Sequence, residues 1–362
     1  MAAVEALQSD QAVALFGQAL AEDPNCVATL DGLAELLIAT GNTENAAQAL
    51  RKSIRLAPKG HAERYMNLSQ LCDDATESLK WIGEGIEILR EELQAAKSAP
   101  KSKKKGKEAA SSSSSSSAAA SPSAQTEATQ KLACALCAQA EVYLNEACDE
   151  ADAETRCEAA ASEALELVKG LEAAGEPTLA EPYITCASLR LSQCRPEDAE
   201  GLVEKAAAVI EEAEEGSPPI DVCKACAKLL MEVGKPMQAL ELCQTLRTHA
   251  DDDLELWYLT GCAALQAEEP ALAVEECMNA LAFAKTGACP PQEKAWANSI
   301  KELKAEAKEA LAAAGGGTSA DGAGAEEGGK KVLKKKAKAT AGAAASSGAV
   351  KNGGIKKKKK AD

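Results

Sequence analysis

VATLDGLAELLIATGNTENAAQALRKSIRLAP, residues 27–58, reads as two helices joined at a glycine. Leu30, Leu33, Ala34 and Leu37 fall on one face of the first helix, at helical spacing. Gly41 marks the turn, and Ala46, Leu50 and Ser53 define the inner face of a second helix that Pro58 closes. Small side chains at Ala34 and Ala46 let two helices approach closely, while the leucines fill the gap between them. Upstream, Ala12, Phe16, Ala19 and Pro24 stand 34 residues before Ala46, Leu50, Ser53 and Pro58. Self-similarity at that step is the mark of a stacked helical repeat.

The same frame returns downstream. The small residue of a first helix and that of a second lie twelve apart as Ala34/Ala46, Ala187/Ala199, Ala227/Ala239 and Gly261/Ala273. LELWYLTG (254–261), followed by Ala273, Cys277 and Ala280, is the clearest copy. Tyr65, Leu68, Ser78 and Ile82 form a degenerate unit, and Leu132–Leu144 with Cys157–Val168 form another. The pattern resembles the tetratricopeptide repeat. The expected fold is therefore all-α: a tetratricopeptide-repeat superhelical solenoid with a C-terminal capping helix and a disordered tail. Helices are expected over 9–22, 27–40, 43–56, 60–72 and 75–97. A second block follows over 127–148, 152–173, 178–193, 196–214, 219–233, 236–249, 252–267 and 270–286. Pro290-Pro291 then opens a charged last helix ending near Leu311, the expected cap. Ser9-Asp10 is read as the cap of the first helix, and Pro196-Glu197-Asp198 as the first turn of another.

Composition agrees with helices and excludes other classes. Of 362 residues, 46% are apolar but only 2% aromatic, too few rings for a β-sandwich core. No stretch approaches the length of a membrane span, and MAAVEALQSD lacks the basic flank and apolar core of a secretory signal. The formal net charge is −16, unevenly placed. Residues 95–126 carry six Lys and one Glu, and residues 315–362 twelve Lys and four acids. The remainder holds 22 basic residues against 51 acidic ones. Such a body repels phosphate backbones, so no direct nucleic-acid contact is expected for its folded part; a basic polypeptide suits it better. The chain divides into N-terminal repeats (1–97), a disordered Lys/Ser-rich linker (98–126), C-terminal repeats with the cap (127–314) and a disordered Lys-rich tail (315–362).

Catalytic chemistry has no candidate. The two histidines, His61 and His249, lie in different units, and neither a zinc-protease, a phosphate-loop nor a calcium-loop motif occurs. Fourteen cysteines include Cys134xxCys137 and Cys223xxCys226, each read as mid-helix and too far apart in sequence for a zinc ribbon. Cys223, Cys226, Cys243 and Cys277 sit at packing positions of the frame, where a free thiol serves as a small hydrophobe. No metal and no cofactor is expected.

Binding candidates come from the frame. Positions facing the groove of such a repeat include Asp31, Glu35, Glu181, Ile184, Asp221, Lys224, Lys228, Glu255 and Tyr258. Glu181, Asp221 and Glu255 occupy the same frame position, so an acidic groove is expected, with Asp31, Glu35, Glu181, Asp221, Glu255 and Tyr258 as client-binding residues.

Certain strings go beyond the generic repeat: AERYMNLSQL (62–71), ESLKWIGEGIEILREEL (77–93), AEVYLNEACDEADAETRCEAAASEAL (140–165), ASLRLSQCRPEDA (187–199) and LELWYLTG (254–261). Together they resemble the dedicated assembly chaperones of large-subunit ribosomal protein four. That resemblance implies a helical repeat protein that captures the newly made ribosomal protein. It also implies shielding of the client's long basic loop, passage with it to the nucleus, and residence in both cytoplasm and nucleus. The lysine blocks 330–336 and 355–360 suit nuclear import or a nonspecific anion-binding tail. Two other functions stay open: a generic scaffold joining protein partners, and an RNA-associated factor using its lysine tails.

Overall fold

Ala, Leu, Glu and Lys are the strongest helix formers, and where they dominate this chain coils. The computed structural model describes residues 2–98, 123–213, 218–286, 289–290 and 293–315. The lysine blocks and most of the expected linker lie outside these. Among the described residues there are fourteen α-helices and no strand. They are α1 (Ala2–Glu22), α2 (Val27–Ala39), α3 (Thr43–Leu56), α4 (Glu63–Gln70), α5 (Ala75–Ser98), α6 (Ala124–Asn145) and α7 (Ala153–Ala173). After these come α8 (Glu181–Ser192), α9 (Pro196–Glu212), α10 (Ile220–Glu232), α11 (Pro236–Arg247), α12 (Leu254–Gln266), α13 (Pro270–Phe283) and α14 (Trp296–Gly315).

The chain divides into two compact units, residues 1–234 and 235–362. In the first, α2 packs on α3, α4 on α5, α6 on α7 and α8 on α9, with α6 touching α8 and α8 touching α10. Leu30, Leu50, Ile54, Tyr65 and Leu68 form one core here. In the second, α12 packs on α13, and α14 lies against both, closing a core of Leu254, Trp257, Cys277, Ile300 and Leu303. The expected capping helix is α14, entered through a 3-10 turn at Glu293–Ala295.

The frame's small residues are among the most deeply buried. Ala34, Ala46, Ala187, Ala199, Ala227, Ala239 and Ala273 are each 0% exposed, and Gly261 is also buried. A β-carbon on Gly261 would stand 2.9 Å from Leu303 Cδ2 of α14, so glycine is what lets the cap settle there. Seven residues after each first-helix small residue the backbone turns left-handed: Gly41 (φ 74°), Cys194 (59°), Gly234 (80°) and Glu268 (64°). The turn is set by position, since two of the four bear a side chain that disfavours it.

Three boundaries differ from expectation. α1 runs unbroken through Ser9-Asp10, which therefore caps nothing, because the Ala- and Leu-rich flanks carry the helix across them. α4 shrinks to Glu63–Gln70 because Gly60 and His61 are left-handed and Arg64 and Tyr65 tie the preceding turn to Ala57 O (3.0 Å) and Pro58 O (2.8 Å). α6 starts at Ala124, inside the expected linker, where the Ser123 hydroxyl accepts the Thr126 N–H at 3.1 Å. The helices flanking that linker, α5 and α6, pack together within the first unit. Arg90 donates to Glu163 (2.8 Å), and Lys131 to Glu63 (2.9 Å), across the same junction.

Candidate functional site

The first helices of successive pairs carry the expected binding residues, and their surroundings differ. On α2, Asp31 is drawn inward: Arg64 Nε donates to both carboxylate oxygens at 2.9 Å, Arg64 Nη2 approaches at 2.7 Å, and Ser53 Oγ adds a further hydrogen bond. Its charge is spent on packing α2 against α4. Glu35, one turn on, is exposed.

The denser arrangement lies on α6, α8 and α10. Glu181, in the first turn of α8, is partly buried, and its Oε2 is shielded from solvent with no hydrogen-bond partner. Glu141 of α6, itself solvent-exposed, lies near it and accepts a long hydrogen bond from Thr185 Oγ1 at 3.4 Å. Burial raises the Glu141 carboxyl above its ordinary value, Glu181 raises it further, and only Thr185 opposes them. The Cys134 thiol, solvent-accessible yet walled by these helices, is pushed up to about 12 by burial and by Glu181 and Glu141. Cys223 on α10 rises to about 11 through burial and Glu181. Neighbouring carboxylates attract a cation, because its charge would relieve their repulsion. Asp221, also on α10, is exposed and pairs with Lys224 at 3.0 Å.

In the second unit, Glu255 is partly buried in the first turn of α12. Tyr258 lies with its ring centroid 5.4 Å from that of Trp296 on α14, and burial raises its hydroxyl. Trp257 is core: its indole donates to Asp251 O at 2.8 Å, and the Arg247 guanidinium stacks 3.5 Å above its ring. Arg247 also pairs with buried Glu276 of α13.

Glu141 escaped the sequence reading because its unit, 132–168, departs from the frame that located the other acids. All fourteen cysteines are free thiols, and Cys226, Cys243 and Cys277 are fully buried at their packing positions. Among the described residues no three His, Cys, Asp or Glu side chains gather as a metal site, and no helix is long and apolar enough to cross a membrane.

The tetratricopeptide repeat family profile matches residues 3–71. The helix pairs and their shared frame extend that pattern along both units. The fold is a tetratricopeptide-repeat fold. A solved structure, the assembly chaperone of RpL4 (Acl4), covers 75% of this chain and 95% of its own at a TM-score of 0.58 and 23% identity, a likeness of fold. Two curated relatives are each named a probable assembly chaperone of rpl4. The one from Emericella nidulans is 26% identical over 278 residues, 72% of this chain and 62% of its own length. The Schizosaccharomyces pombe protein is 28% identical over 218 residues, 59% of this chain and 55% of its own. The chain thus spans under two thirds of the length of these relatives.

Proposed function

We propose that this chain is a dedicated chaperone that binds and shields a newly made basic ribosomal protein, large-subunit protein four, and delivers it to ribosome assembly. The observation that carries this reading is the neighbouring carboxylates of Glu141 and Glu181 on α6 and α8, with Glu181 Oε2 shielded from solvent and without a hydrogen-bond partner. A lysine or arginine of the client satisfies both. Glu35 and Asp221 widen the acidic surface, and Glu255 supplies acid to the second unit. Asp31 and Tyr258 act behind that surface, holding α2 to α4 and α12 to α14. The names of the curated relatives favour the same client, and the acidic excess of the body suits it.

The role is one of binding, with no catalytic step, in cytoplasm and nucleus; nuclear import through the lysine blocks 330–336 and 356–360 belongs to the same proposal. Affinity capture from lysate tests it. The expected result is one dominant, stoichiometric basic protein that mass spectrometry identifies as ribosomal protein four of the large subunit. Many substoichiometric partners would favour a general scaffold, and loss of the captured material on nuclease treatment an RNA-associated factor.

A further inference from the structure

One surface of the first unit is lined by basic and amide side chains. Between α1 and α3 runs an open furrow of about 590 Å³ whose floor is Val13, Leu33, Leu37 and Ala49. One wall is a stripe of α3 and the residue that precedes it: Asn42, Asn45, Gln48, Lys52 and Arg55, with Arg51 beside it. No acidic residue lines it. Arg51 is held by Glu77 of α5 at 2.8 Å, and Lys52 donates to the carbonyl of Pro24, which leaves its charge unneutralised. Arg55, in the last turn of α3, is exposed. Asn45 Nδ2 donates to Asn42 Oδ1 at 3.0 Å, which leaves the other amide edges of the pair facing outward. The opposite wall dips at Gly17 of α1, where an added β-carbon would meet nothing within 4 Å.

We infer that this furrow binds an extended acidic peptide of a second partner, distinct from the basic client. The charge argument is direct: in a body with 51 acids to 22 bases, Lys52 and Arg55 line this furrow beside Arg51, whose own charge is taken up by Glu77, and no carboxylate is among the lining residues. The amides of Asn42, Asn45 and Gln48 suit the main-chain groups of an extended strand, and the apolar floor suits its alternate side chains. From Asn42 to Arg55 the stripe is about 20 Å long, the reach of roughly six extended residues. RNA fits less well, since the apolar floor offers no aromatic platform for bases and the surrounding acid repels a long phosphate chain.

The test uses the full chain and a fluorescein-labelled peptide of alternating Glu and Leu, followed by polarisation at physiological salt. Saturable binding is expected, weakened at least tenfold by Arg55→Glu. Gly17→Leu tests the site without touching a charge: it improves the helix and fills the furrow, and the same loss is expected. A Lys/Leu peptide and a labelled oligouridine are not expected to bind in a way that either variant changes. Acidic-peptide binding that survives both variants overturns the assignment, as does its absence in the wild type. Oligouridine binding lost in both variants would assign the furrow to nucleic acid instead. Each variant keeps the carboxylates of the proposed client surface, so client capture serves as the control for folding.

Discussion

Replacing Arg64 by alanine probes a nearly buried ion pair in the first unit's N-terminal stack. The Arg64 side chain is 6% exposed and that of Asp31 23%, and three of the arginine's contacts bind the two carboxylate oxygens while a fourth ties down Ala57 O. Removing one partner of such a pair costs about 3–5 kcal/mol, because the other charge stays shielded from water. The partial exposure of Asp31 and its bond to Ser53 place the expected loss near the lower end, about 3 kcal/mol. Arg64→Lys keeps the charge but loses the planar fork, so a smaller loss is expected. Urea unfolding followed by circular dichroism measures the global effect. Hydrogen exchange localises it, since in a repeat stack each element is stabilised by its neighbours and the loss should concentrate in α2–α4. The double variant Asp31→Ala/Arg64→Ala should be less destabilised than the sum of its parts. A loss below about 1 kcal/mol, the value of an exposed pair, would refute the assignment of Asp31 to packing.

Gly261→Ala drives a β-carbon toward Leu303 and is expected to loosen α14 despite the gain in helix propensity. The control Gly201→Ala in α9, where nothing lies within 4 Å, is expected to stabilise by roughly 0.8–1 kcal/mol; thermal melts compare the two. Glu141 has a raised carboxyl, so folding favours its protonated form and its ionisation costs stability once pH rises above the ordinary value of 4.5. Because the Glu141 side chain is exposed, solvent screens this cost: Glu141→Gln is expected to melt only slightly higher than wild type at pH 7 and equal to it near pH 4, while binding client more weakly. A protease site placed between Ser98 and Ser123 is expected to give two fragments that co-elute on gel filtration, held by the α5–α6 contact and the Arg90–Glu163 and Lys131–Glu63 pairs. Separate elution would contradict that packing.

The repeat was legible because its signal is steric and periodic. A small residue that must let two helices touch cannot be replaced freely, and the eight such positions read from the sequence are all buried. Cys194 and Glu268 hid the left-handed turns, since side chains that disfavour the conformation stand where Gly41 and Gly234 advertise it. Asp31 and Tyr258 show where a frame position stops predicting a role. Both sit on first helices, but the partners that draw them inward, Arg64 and Trp296, come from other helices. Glu141 lay in a unit whose spacing had drifted, so only its approach to Glu181 and Thr185 in the folded chain exposes it.

The central claim is that carboxylates on first helices hold a basic client, and charge reversal tests it most directly. Purified large-subunit ribosomal protein four is titrated with the wild-type chain and with Glu181→Lys/Asp221→Lys/Glu255→Lys, after circular dichroism confirms equal helicity. Even at the exposed-pair value of about 0.2–1 kcal/mol for each, a floor for the partly buried Glu181 and Glu255, reversal replaces attraction by repulsion, so the combined loss is expected to reach at least about tenfold in affinity. Wild-type binding should weaken as salt rises, because exposed charges are screened beyond about 8 Å at physiological ionic strength. Undiminished affinity of the triple variant at both low and high salt would contradict the account.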